Sequence, residues 1–134
     1  MCVWYFALRC QDDVVDEDAP RELVYLIEAL EARALRTAIV AAGRAEPVLE
    51  LWEDLIARFA AAALEDARLR GDSEATWDEA AIALQGRKFL PMAGPPAALL
   101  VRADREGDIP SLVEGVERLA VGLQLTNDLS GADH

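Results

Sequence analysis

From Leu23 to Leu64 apolar side chains return every three or four residues, with one interruption around Gly43. That period belongs to an α-helix; a half-buried strand would alternate every second residue. Leu23, Leu26, Ile27, Leu30, Ala34 and Ala38 form one stripe. Leu49, Trp52, Leu55, Ile56, Phe59, Ala63 and Leu64 form a second. No strand-like alternation survives over a useful length anywhere else, and neither a repeat nor a low-complexity linker divides the chain. The expectation is an all-α fold: an antiparallel bundle of five to six helices in one domain, residues 1–134.

Punctuation residues set the boundaries. Residues 2–17 read as a helix, apolar first and then acidic. Asp18 is placed to cap the next helix, with Pro20 in its first turn and Gly43 at its end. A third helix runs from Glu46 to Arg70, stopped by Gly71. Thr76 and Glu79 have capping-box spacing and predict a fourth start near Trp77. Pro91 and Gly94-Pro95-Pro96 should bend or break that helix. A short helix from Ala97 to Arg105 and a last one from Ser111 to about Leu129 complete the expected set. Gly115 and Gly122, seven residues apart, would let another helix approach the last one closely.

The composition excludes several functions. Apolar residues make up 53 % of 134, enough for a core. The net charge of −12, from 25 acidic and 13 basic residues, repels a phosphate backbone and argues against nucleic acid. Such a chain can instead hold divalent cations and, through them, an anion. Most acids, including Glu28, Glu31, Glu50, Glu53 and Asp54, read as solvated surface. Cys2 and Cys10, on one helix, would stand roughly 12 Å apart, too far for a disulfide; a reducing, cytoplasmic setting is expected. Met1 to Leu8 lacks the basic start and small-residue cleavage site of a signal peptide. No uncharged run is long enough to span a membrane. The lone His134 leaves no basis for a zinc site or a histidine triad.

One acidic stretch stands apart. In Gln11-Asp12-Asp13-Val14-Val15-Asp16-Glu17-Asp18, Asp12 and Asp16 lie one helical turn apart and Asp13 about 100° round from Asp12. Crowded like charges at a helix C-terminus oppose both each other and the dipole, and a bound Mg²⁺ would relieve both penalties. An acidic helix end in water is the plainer alternative. In the last segment Gln124, Asn127, Asp128 and Gly131 recur at helical spacing inside an apolar helix, where polar groups need partners.

Together these motifs carry a resemblance. An early DDxxD, followed about 110 residues later by Gln-x-x-Asn-Asp at the end of a Gly-containing apolar helix, resembles the class I isoprenoid synthase superfamily. Gln124-Leu125-Thr126-Asn127 is close to the squalene and phytoene synthase form, and Asn127-Asp128 is similar to the start of the terpene cyclase second motif. Gly86-Arg87-Lys88-Phe89, before a proline kink, resembles the family helix that offers a basic residue to the diphosphate. The resemblance implies a Mg²⁺-dependent enzyme that ionises a prenyl diphosphate, by prenyl transfer or terpene cyclisation, in the central portion of an isoprenoid synthase fold. Asp12 and Asp16 would bind metal with Asp13 beside them, and Asn127 and Asp128 would face them. Gln124 would orient ligands, and Arg87 or Lys88 would neutralise the leaving diphosphate. Ala7 and Leu8, with Trp4, would line the apolar pocket; simple core packing is their other reading, and a solvated helix lysine is that of Lys88.

The pattern departs from the family at Arg21, alone where an arginine pair is usual, and at Gly131, where a second-motif ligand is expected. Association with further segments of the same fold, or a homodimer, would cover the apolar faces such a central portion exposes. A non-catalytic binding or regulatory subunit of the same fold is the alternative. An all-α nucleoside-triphosphate pyrophosphohydrolase is a third reading.

Overall fold

The structure, a computed structural model, describes Ala7, Cys10, Gln11, Val14, residues 20–71 and residues 78–131, with 127–131 described by backbone alone. Every regular element among the described residues is helical. Five α-helices follow in order: α1 (Val24–Ala42), α2 (Ala45–Arg70), α3 (Glu79–Arg87), α4 (Gly94–Arg102) and α5 (Ile109–Gly131). Single 3-10 turns, Arg21–Leu23, Leu90–Ala93 and Glu106–Asp108, lead into α1, α4 and α5. The fold class is therefore all-α. None of the helices among the described residues is long and apolar enough to cross a membrane.

Local chemistry explains the ends. Gly43 takes a left-handed φ of 73° and donates its N–H to the Ile39 carbonyl at 3.0 Å, the expected glycine cap of α1. Arg102 reaches across from α4 to the Ala41 carbonyl at 2.9 Å, satisfying another open acceptor at the same helix end. Asp78 caps α3, its carboxylate accepting the Ala81 N–H at 2.9 Å. That start lies two residues beyond the capping-box expectation, whose Thr76 is outside the described residues. Pro95 and Pro96 open α4 instead of preceding it, because first-turn residues need no intrahelical donor. The same helix stops at Arg102, before Asp104 turns left-handed at φ 54°.

Two apolar clusters hold the helices together. Ala38, Ala42, Val48, Ala98 and Val101 join α1, α2 and α4. Leu55, Leu90, Ala93 and Val113 join α2, the 3-10 turn and α5, and Ile109 packs against both clusters. Leu55 and Leu90 are the bulkiest fully buried side chains. Ala7 and Cys10 are also buried, Cys10 as a free thiol.

The inner face of α2 is turned from the one its apolar stripe suggests. Val48, Leu55, Ala62 and Asp66 are buried, whereas Leu49 and Leu64 are exposed, Leu64 by 74 %. The alanine run from Ala60 to Ala63 makes several faces equally apolar, so packing against α1, α3, α4 and the Leu90–Ala93 turn sets the rotation.

The glycine that brings helices together is Gly86. A Cβ there would lie 2.7 Å from the Glu117 carbonyl oxygen and 2.9 Å from Val121 Cγ2 on α5. At Gly115 and Gly122 a Cβ would meet nothing within 4 Å, so the expected close approach to α5 occurs on its other side.

Candidate functional site

Four residues after Ala62 on the buried face of α2, the chain places a carboxylate. Asp66 is only 6 % exposed, and burial of an ionised acid is costly without partners. Those partners come chiefly from the end of α3: Gln85 in its last turn and Lys88, the right-handed residue that follows it, lie three residues apart and share a face. Gln85 Nε2 donates to Asp66 Oδ1 at 2.6 Å, and Lys88 Nζ donates to Oδ2 at 2.9 Å. From α2 itself, Arg70 Nε stands 3.0 Å from the same Oδ2. Among the described residues, no buried side-chain nitrogen or oxygen is left without a partner.

Burial pushes the Asp66 carboxyl toward protonation, but the hydrogen bonds from Lys88 and Gln85 and the charges of Lys88 and Arg70 outweigh it. The group is held below the usual carboxylate range. The carboxylate remains an anion and fixes the angle of α3 against α2. A second crossing pair extends the arrangement: Arg58 Nη2 of α2 meets Glu117 Oε1 of α5 at 2.7 Å, beside the contact made by Gly86.

Lys88 thus donates to a buried acid, with its side chain one-fifth exposed. Arg87, its neighbour, is exposed. Gly86 faces Glu117 and Val121, and Leu90 packs with Val113, so α3 and α5 run antiparallel. Asn127 lies ten residues beyond Glu117 on the unbroken α5, which amounts to about 15 Å of helix. Lys88 and the Asn127-Asp128 backbone are therefore at different levels of the bundle. Gln124, between them, is half-buried. Asn127 follows Val113 and Ala120 at steps of seven, so its backbone continues the register of the buried line on α5.

Of the remaining expected site residues, Asp12, Asp13, Asp16 and Leu8 lie outside the described residues, as does Trp4. Ala7 is fully buried, as an interior packing residue is. Among the described residues no group of three or more His, Cys, Asp or Glu is arranged to hold a metal ion.

Asp66 and Gln85 were not marked by sequence motifs. The available signal was register: Asp66 completes the line Val48, Leu55, Ala62 on α2, an acid on an otherwise apolar face. Glu31 also differs from expectation. It is half-buried on α1, and burial, with Glu28 adding to it, raises its carboxyl above the ordinary value.

Compared with family models, curated proteins and solved structures, the chain finds no match.

Proposed function

We propose that this chain is a Mg²⁺-dependent, isoprenoid synthase-like enzyme that ionises a prenyl diphosphate, for prenyl transfer or terpene cyclisation. The observation that carries the reading is the continuity of α5 from Ile109 through Asn127 and Asp128 to Gly131. It keeps Gln124, Asn127 and Asp128 on successive turns of one helix, as the second motif requires, about 110 residues after Asp12-Asp13-x-x-Asp16. Carboxylate and amide oxygens are the hard donors that suit Mg²⁺.

In this reading Asp12 and Asp16, with Asp13 beside them, hold metal from one side, and Asn127 and Asp128 from the other. When bound, Mg²⁺ stabilises the negative charge that develops on the diphosphate as the allylic C–O bond breaks. Gln124 orients ligands. Ala7 and Leu8 would line the apolar pocket that shelters the cation from water. The basic side chain offered to the leaving group is Arg87 in preference to Lys88, whose charge is engaged by Asp66.

That engagement also favours a second reading, a non-catalytic binding or regulatory subunit of the same fold, because Lys88 then has a structural task and need not meet a substrate. Diphosphate release from farnesyl and geranylgeranyl diphosphate, with and without Mg²⁺, separates the two. The enzyme releases diphosphate only with metal, and Asp12→Asn with Asp16→Asn abolishes the release. Metal-dependent binding without release supports the subunit. Neither binding nor release leaves both readings without support.

A further inference from the structure

On α5 the most apolar line is not the line that is buried. Leu112, Gly115, Val116, Leu119, Gly122 and Leu123 keep helical spacing along one side, and none carries a charge. Leu119 is 64 % exposed and Leu123 55 %. At both glycines a Cβ would meet nothing within 4 Å. The inner line lies one residue further along: Val113, Glu117, Ala120 and Gln124. Val113 and Ala120 are buried, but Glu117 and Gln124 are polar and half-buried. One residue step is about 100° of helix rotation. Apolar burial alone would turn α5 by that step and bring Leu119 and Leu123 inside.

The close approach at Gly86 does not choose between the two positions. It is made to the Glu117 carbonyl, and a turn of one residue presents the Val116 carbonyl in its place. A side-chain pair does choose. Arg58 Nη2 of α2 donates to Glu117 Oε1 at 2.7 Å, and Asp54, one turn back on α2, braces Arg58 at 3.5 Å. After the turn Val116 would stand where Glu117 stands, and Arg58 would have no acceptor on α5.

We infer that α5 is a two-position helix, locked in the present position by the Arg58–Glu117 pair. In the second position Leu112, Leu119 and Leu123 take the inner places of Val113, Ala120 and Gln124. Gly115 and Gly122 then flank the contact and make room for the larger side chains. Packed helices exchange between discrete arrangements of this kind. The Asn127 backbone, in register with Val113 and Ala120, gives its place to that of Thr126. In the proposed function, on which this last consequence rests, the lock decides whether the second motif is in register with the inner side.

Thiol labelling of the full chain tests this, with Cys2→Ala and Cys10→Ala removing the native thiols. With the lock intact, Thr126→Cys reacts quickly and Ala120→Cys slowly. Arg58→Met leaves the Glu117 carboxylate half-buried without its cation, and the order reverses: Ala120→Cys gains about tenfold in rate and Thr126→Cys loses as much. Glu117→Gln, which keeps the shape and removes the charge, moves both rates the same way to a lesser extent. Arg58→Lys keeps the original order. Leu119→Gln with Leu123→Gln, added to Arg58→Met, restores that order by removing the apolar drive. Two thiols that speed up together would mean fraying of the helix and overturn the inference. Rates indifferent to both Arg58→Met and Glu117→Gln would overturn it as well. The labelling needs neither metal nor diphosphate, so it fails or succeeds separately from the diphosphate-release assay.

Discussion

Two acidic regions of this chain sit in opposite charge settings. Asp66 is buried, yet Lys88, Gln85 and Arg70 surround it, so its charge is balanced from within the fold. The stretch from Gln11 to Asp18 holds five acids in eight residues with no Lys or Arg among them. In the proposed function the contrast separates an acid that organises the fold from acids that call for a cation from solution. Asp66 has its donors already in place and fixes the orientation of α3. Between Gln11 and Asp18 the sequence places no Lys or Arg beside Asp12, Asp13 and Asp16, and in the proposed function Mg²⁺ supplies the balancing charge.

The largest expected effect breaks the second member of that pair. Asp12→Asn combined with Asp16→Asn should weaken Mg²⁺-dependent binding of farnesyl diphosphate on the order of a thousandfold, as two lost carboxylate ligands compound, while leaving thermal stability nearly unchanged. Fluorescence titration together with a melting curve reads both. A fall in stability equal to the fall in binding would assign these acids to folding instead.

Breaking the first member should do the reverse. Asp66→Ala leaves Lys88 and Gln85 without their acceptor in a mostly buried site and should cost about 3 kcal/mol in urea unfolding. The pH dependence has a definite sign. The folded carboxyl of Asp66 lies below its unfolded value, so its contribution is fully present above about pH 4 and is lost as pH falls through the lower folded value. The stability gap between the wild type and Asp66→Asn should close in that acid range. A gap that persisted at pH 2 would mean the carboxylate is not what holds α3.

Gly86→Ala sharpens the comparison without touching a charge. Its methyl would push α5 from α3 at the Glu117 carbonyl, at a cost of about 2 kcal/mol, and should loosen the Lys88–Asp66 pair secondarily. Hydrogen exchange would show faster exchange in α3 than in α1; equal rates would contradict the tight approach.

The smallest effect concerns Glu31, a half-buried acid next to Glu28. Its raised carboxyl means the ionised form is disfavoured in the fold, a penalty that grows as pH rises through the folded value and is absent below the unfolded one. Glu31→Gln should therefore stabilise the chain at pH 7 by under about 1 kcal/mol, the gain vanishing near pH 4. A loss of stability at pH 7 would show that Glu31 has a cationic partner.

The legible parts of the fold were those decided by backbone chemistry. Gly43 and the proline pair mark real helix limits, because left-handed φ and missing donors act wherever the residue stands, and Gly71 ends α2 with a right-handed φ of −77°. Helix rotation was less legible. In α2 the run Ala60-Ala61-Ala62-Ala63-Leu64 is apolar all round, so tertiary contacts chose which side to bury and left Leu64 outside. The thin apolar signal also hid Asp66, which was readable only as an acid in step with Leu55 and Ala62. For Lys88 the type of residue was informative and the partner was not, since Asp66 is 22 positions away in sequence.

Calorimetric titration of Mg²⁺ into the chain with farnesyl diphosphate present tests the division between these acids most directly. Heat that depends on both metal and diphosphate, disappears in Asp12→Asn with Asp16→Asn and survives in Asp66→Asn is the predicted result. Heat that is absent from the wild type, or that follows Asp66 and ignores Asp12 and Asp16, would contradict it.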